Sequence, residues 1–138
     1  MISKKKVLLV CSPYYKDITS NLIKGASDLL ESNSIDYNIL NVPGALEVAP
    51  AIKFIFDKSL KKPIFDGFVA LGCVIKGETP HFDFISSATT NAIMQLSVNS
   101  KKPVGNGVIT CLNMKQAIIR KKKGSEAAQA VLSILSQK

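Results

Sequence analysis

The chain has 138 residues, long enough to bury a core of its own and short enough to form one domain over residues 1–138. Hydrophobic residues make up 46% and the net charge is +8, which excludes a disordered chain and favours anionic ligands. No apolar run reaches the ~18 residues of a membrane-crossing helix, so no membrane partner is expected.

The first lysines and Val7-Leu8-Leu9-Val10 have the charge pattern of a secretory leader. The apolar part is too short, and Ser12 to Asp17 ends it, so Lys6 to Cys11 reads as a first strand. Ile18, Leu22, Ala26, Leu29 and Leu30 recur at helical spacing. After the turn Ser32-Asn33-Ser34, Ile35 to Val42 alternates weakly and reads as an edge strand. Pro43-Gly44 is a loop. A helix follows with Val48, Ile52, Ile55 and Phe56 inward, and Pro50 must lie in its first turn or kink it. Lys61-Lys62-Pro63 closes that unit.

Asp66 to Ile75 is nearly continuous apolar sequence, as in a strand buried on both faces of a parallel sheet. Lys76-Gly77-Glu78-Thr79 breaks it. Thr79 suits a helix cap and Pro80 the first helical position, placing His81, the sole histidine, in the first turn. Ile85, Ala88, Ala92, Ile93 and Leu96 are the expected inner stripe of that helix. Lys101-Lys102-Pro103 turns into a fourth strand, Val104 to Thr110, weakened by Gly105 and Gly107. Asn113-Met114-Lys115-Gln116 resembles a capping box opening a short helix. Lys121 to Gly124 is expected to break or bend it, and Ala128, Val131, Leu132 and Leu135 form a last stripe.

Strands alternating with helices imply parallel pairing with right-handed crossovers. The expected fold is α/β: a four-stranded parallel sheet of order 2-1-3-4 with helices on both faces, a flavodoxin-like three-layer sandwich. An open last edge and a mean hydropathy above zero suggest burial against neighbouring subunits. Cys11, Cys73 and Cys111 are far apart and lack metal-ligand spacing, so reduced thiols in a cytoplasmic protein are expected.

In such a sheet, ligands bind beyond the carboxyl ends of the strands. Four loops should meet there, carrying Tyr14-Tyr15, Pro43 to Glu47, Lys76 to His81, and Cys111-Leu112-Asn113. They offer an aromatic face, amides at helix starts, carboxylates and one imidazole. A lone histidine is often only a surface or capping residue; its place in that turn raises its standing as a proton shuttle. There is no nucleophile elbow, Walker loop or GxGxxG motif. The lysines are scattered without interleaved aromatics, which argues against nucleic acid. The pairs Lys61-Lys62 and Lys101-Lys102 should lie across the sheet from His81.

Three blocks, VPGALEVAPAIK, ALGCVIKGETPHFDFI and PVGNGVITCLNMKQAIIR, resemble the signature blocks of the 6,7-dimethyl-8-ribityllumazine synthases, and the resemblance runs from about Val7 to the last helix. It implies the penultimate step of riboflavin biosynthesis: 5-amino-6-(D-ribitylamino)uracil condenses with 3,4-dihydroxy-2-butanone 4-phosphate, without metal or cofactor. By that resemblance His81 is catalytic. Tyr14 stacks on the pyrimidine, with the choice between Tyr14 and Tyr15 open. Ala45, Leu46 and Glu47 hold the ribityl chain and ring, and Cys73, Val74 and Ile75 read the uracil edge. Glu78, Thr79 and Arg120 hold the butanone phosphate. Asn106 stands on the pyrimidine wall, where the family usually carries an aromatic residue. Lys76 replaces a common arginine, and the Arg120–Gly124 link is short, with Lys123 a candidate substrate contact. The family forms pentamers or sixty-subunit shells with sites between adjacent subunits. The short link favours a pentamer or decamer, and an association with riboflavin synthase is implied. Two other readings stand beside this one: a flavin- or lumazine-binding module without turnover, and a basic RNA-associated scaffold.

Overall fold

A computed structural model describes residues 4–59 and 64–137. The strands are β1 (Lys6–Ser12), β2 (Asp36–Asn41), β3 (Gly67–Ile75) and β4 (Val104–Cys111). The helices are α1 (Lys16–Ser32), α2 (Val48–Lys58), α3 (His81–Asn99), α4 (Met114–Ile119) and α5 (Lys123–Leu135), and a short 3-10 turn, Ala45–Glu47, precedes α2. All strand pairs are parallel and the order is β2-β1-β3-β4, as the alternation of elements predicts. The turn expected at Lys61-Lys62-Pro63 lies outside the described residues.

The sheet sorts its side chains by the twofold period of a strand. Val7, Leu9, Cys11, Val69, Leu71, Cys73, Ile109 and Cys111 meet α1 and α5 on one face. Leu8, Val10, Phe68, Ala70, Val74, Val104 and Val108 meet α2 and α3 on the other. This double burial accounts for the unbroken apolar run of β3, where only Ile75 is less than fully buried. β2 is an edge strand in which only Tyr37 and Leu40 are half-buried and the rest are exposed.

Several local expectations change. In α3, Ala88 is exposed, while Thr89 and Ile93 are buried. Leu29 of α1 is only half-buried, as are Ile55 and Phe56 of α2. Pro50 is tolerated as the third residue of α2, where no intrahelical N–H bond is lost. Pro80 stands one step before α3, and the Thr79 hydroxyl accepts from the His81 N–H at a long 3.4 Å. The chain breaks at Arg120 to Lys122, and Gly124 is inside α5 rather than part of the break. A Cβ on Gly124 would collide with the Leu22 carbonyl, and one on Gly105 with the Ala127 carbonyl. Both glycines therefore let α5 lie close to α1 and to the sheet; Gly105 seats α5 rather than merely weakening β4.

Candidate active site

The cleft is assembled from three loops at the carboxyl edge. β1 ends at Ser12, whose carbonyl accepts from the Thr19 hydroxyl at 3.2 Å, and the Tyr15 carbonyl accepts from the Thr19 N–H at 2.9 Å. These bonds tie Tyr15 to the start of α1, with Tyr14 one residue further out and 73% exposed. The two rings lie 5.0 Å apart between centroids, tilted by 55°. The second loop is anchored where the Val42 N–H donates to the Cys11 carbonyl at 2.8 Å. An extended Gly44 then leads into the 3-10 turn of Ala45, Leu46 and Glu47, closed by a Glu47 N–H to Gly44 carbonyl bond at 3.1 Å.

The third loop leaves β3 after Cys73, Val74 and Ile75, and the Lys76 N–H continues the pairing by donating to the Cys111 carbonyl at 2.9 Å. It returns at His81, the exposed first residue of α3. Together the loops enclose a cleft of about 280 Å³. Tyr14, Tyr15 and Glu47 stand on its rim side with Ala45 and Leu46, Cys73 to Ile75 line it from the end of β3, and His81 and Ile85 line it from α3. Burial pushes the Cys73 thiol up to about 12, with the Cys111 thiol adding to the effect. Burial also raises the Tyr15 phenol, reinforced by Tyr14 and Cys73. Both groups are therefore neutral and protonated near neutral pH.

A second hollow, of about 530 Å³, lies beyond the edge strand β4. Val108, Ile109 and Thr110 form one wall; Ile119, Arg120, Lys122, Lys123 and Glu126 form the other. The expected capping box shapes its approach: the Asn113 side chain accepts from the Gln116 N–H at 2.9 Å, while the Gln116 side chain accepts from the Leu112 N–H at 2.8 Å. The Arg120 guanidinium donates to the Thr110 carbonyl at 3.1 Å and lies 4.0 Å from the Cys111 sulfur. Among the described residues Arg120 has no carboxylate partner, and Lys123 approaches Glu126 only at 3.9 Å.

Of the residues singled out in the sequence, Tyr14, Ala45, Leu46, Glu47, Cys73, Val74, Ile75 and His81 share the first cleft. Glu78 and Thr79 are exposed on the turn before His81 and do not line it. Arg120 belongs to the second hollow. Asn106 sits midway along β4, on the α3 side by strand alternation, where its side-chain oxygen accepts from the Val108 N–H at 3.0 Å. Tyr15 and Ile85 line the first cleft without having been assigned to it: the tyrosine pair left that choice open, and Ile85 carries only the signal of a core stripe. Lys122 is a further member of the second hollow, hidden in sequence by its place in a plain lysine run. Among the described residues no group of three or more His, Cys, Asp or Glu could hold a metal ion, and no helix is long and apolar enough to cross a membrane.

The family model for 6,7-dimethyl-8-ribityllumazine synthase matches residues 4–138. A 6,7-dimethyl-8-ribityllumazine synthase of Bartonella bacilliformis is 40% identical over 96% of this chain and 89% of that protein. One from Agrobacterium fabrum is 41% identical over 99% of this chain and 97% of that protein. One from Methylorubrum populi is 41% identical over 96% and 82%.

Proposed function

Because the chain belongs to the 6,7-dimethyl-8-ribityllumazine synthase family, we propose that its two hollows are the two halves of that enzyme's site. The protein is a transferase of riboflavin biosynthesis. It condenses 5-amino-6-(D-ribitylamino)uracil with 3,4-dihydroxy-2-butanone 4-phosphate, giving 6,7-dimethyl-8-ribityllumazine, phosphate and water. The uracil amine attacks the ketone and expels water to form an imine. Phosphate leaves by elimination, and the ribitylamino nitrogen then closes the ring on the remaining carbonyl, expelling a second water.

His81 is read as the group that moves protons between these steps, since an imidazole has an ordinary pKa of ~6.5. Tyr14 stacks on the flat ring, and Ala45, Leu46 and Glu47 hold the ring and the ribityl chain. Cys73, Val74 and Ile75 present main-chain groups to the uracil edge. The observation that carries this reading is the gathering of these residues with His81 around one cleft at the strand ends. Arg120, free of any carboxylate among the described residues, takes the phosphate together with Glu78 and Thr79 on the turn before His81. Asn106 belongs to the wall facing the pyrimidine. Much of the remaining rate comes from holding two substrates together, on the order of 7 kcal/mol.

That Arg120 and His81 line separate hollows of one chain supports a site completed by a second copy. The reading is a cytoplasmic homo-oligomer, a pentamer or decamer rather than a sixty-subunit shell, in which one subunit's Arg120 hollow faces its neighbour's His81 cleft. An association with riboflavin synthase belongs to the same reading, as does the single domain over residues 1–138. The exposed apolar side chains Phe54, Phe84, Met94 and Val98 on α2 and α3 support burial between subunits. Mixing the two substrates with the protein should produce the lumazine, seen by its absorbance and fluorescence; no product overturns the assignment. Native mass should read five or ten times the chain's 14.9 kDa. An active monomer would refute the shared site.

A further inference from the structure

The two tyrosines at the cleft differ in how they are held. Tyr14 is 73% exposed, with its side chain largely in solvent. Tyr15 is half-buried and packs against the core shared by β1, β3 and α1. Its backbone carbonyl is fixed by the Thr19 N–H at 2.9 Å, at the first turn of α1. Its hydroxyl has no hydrogen-bond partner among the described residues, yet the residue lines the cleft beside Cys73. An unpartnered phenol whose ring rests on the core is a better preorganised donor than one standing in solvent. A loosely held phenol would have to be ordered on binding, which offsets most of the value of one hydrogen bond.

We infer that Tyr15 is a ring-recognition residue for the heterocyclic substrate, its hydroxyl donating to a carbonyl or ring-nitrogen acceptor of the pyrimidine, while Tyr14 supplies only the stacking face. This rests on the reading of the cleft as the ribitylaminouracil site and adds to it a polar contact at the end of β1. The donation persists across the neutral range, because a phenol is protonated there and burial only raises this one further. The tilt of 55° between the rings fits this division, since only one of them can lie parallel to a ligand ring at a time.

Tyr15→Phe tests it, because the ring that packs on the core is retained and only the hydroxyl is removed. In the condensation assay the variant should raise the KM for ribitylaminouracil about 3- to 10-fold, the span of one neutral hydrogen bond, with kcat and the KM for butanone phosphate unchanged. Direct fluorescence titration with 6,7-dimethyl-8-ribityllumazine should show the same loss of affinity. A KM and an affinity within twofold of the unsubstituted protein overturn the inference. So does a loss confined to kcat, which would make the phenol a participant in proton transfer. Neither result touches the wider assignment, which fails only if the unsubstituted protein makes no lumazine.

Discussion

The two faces of the sheet are finished to different degrees. On the α1 and α5 side, Leu22, Ala26, Leu30, Ala128 and Val131 are fully buried, and Gly25 and Gly124 bring the two helices to backbone contact. On the α2 and α3 side, a trough of about 460 Å³ remains between the helices, lined by Phe56, Ala92 and Leu96 among others. Phe84, Met94 and Val98 of α3 face outward, and the Ser86 and Thr89 hydroxyls are buried without a partner among the described residues. One layer is completed by its own chain; the other carries apolar surface and unsatisfied groups that a neighbour could cover. Part of the candidate site sits on the second layer, where His81 starts α3 and the Ala45–Glu47 turn precedes α2; Tyr14 and Tyr15 come from the loop between β1 and α1, and Arg120 follows α4. The finished layer holds the fold together, while the open layer contributes His81 and the Ala45–Glu47 turn to a cleft that residues from the other layer complete.

The sharpest way to break the comparison is at the glycines of the finished layer. A methyl at Gly124 meets the Leu22 backbone carbonyl, which cannot rotate away as a side chain could. Gly124→Ala should therefore cost about 2–3 kcal/mol through overpacking, against at most about 1 kcal/mol gained in helix propensity. Thermal unfolding reads the difference, and an unchanged midpoint would show that α5 can slide. The same layer should be alkali-sensitive. Burial holds the Cys11 thiol at about 12 against an ordinary 9.0, so it stays protonated in the folded chain while the unfolded chain ionises. The stability it contributes is complete below pH ~9 and is lost as pH rises towards 12. Cys11→Ala should flatten that part of the stability–pH curve, though its cavity lowers the whole curve.

In the cleft at the strand ends and in the hollow beyond β4, substitutions should spare folding and damage chemistry. His81 is exposed, and its side chain makes no hydrogen bond among the described residues. His81→Ala should leave the unfolding midpoint in place and lower kcat on the order of 100-fold, the lower end for loss of a proton shuttle. Full turnover at saturating substrates would remove the histidine from the mechanism. Arg120→Lys keeps a positive charge but loses the planar fork that can grip a phosphate while still donating to Thr110. The KM for butanone phosphate should rise about 10-fold, with that for the uracil unaffected, corresponding to roughly one charge-assisted hydrogen bond.

The fold was legible because most elements carried a period or an apolar run of their own. β3 shows eight buried residues in sequence, and an unbroken apolar run between Gly/Pro-bounded loops has few other meanings. The capping box at Asn113 was legible for the same reason: its two hydrogen bonds are local. The inner stripe of α3 was misjudged at Ala88 and Thr89, because a helix with apolar and polar residues mixed on every side offers little contrast from which to read its inward face. Gly124 was misjudged because close helix approach is a tertiary fact, and a glycine after three lysines looks like a breaker. The cleft residues were legible through their loops and the family resemblance. Sequence could not show that Arg120 opens into a different hollow from His81, since that depends on how α4 turns beyond the edge of β4.

Asn106 tests the boundary between fold and function most finely. β4 is an open edge, and an edge N–H left to solvent invites another strand. The Asn106 side-chain oxygen closes the Val108 N–H at 3.0 Å, so this residue blunts the edge from within. An aromatic residue at this position could not do that; it could only cover the edge or face a ligand. Asn106→Ala removes the acceptor but leaves the Val108 N–H within reach of water, so the cost to stability should be about 0.5–1 kcal/mol. Asn106→Phe should cost a similar amount in stability while changing the affinity for the lumazine, read by fluorescence titration. A stabilising effect of either variant on the unfolding midpoint would mean that the hydrogen bond to Val108 contributes nothing and that Asn106 is held there by the ligand site alone.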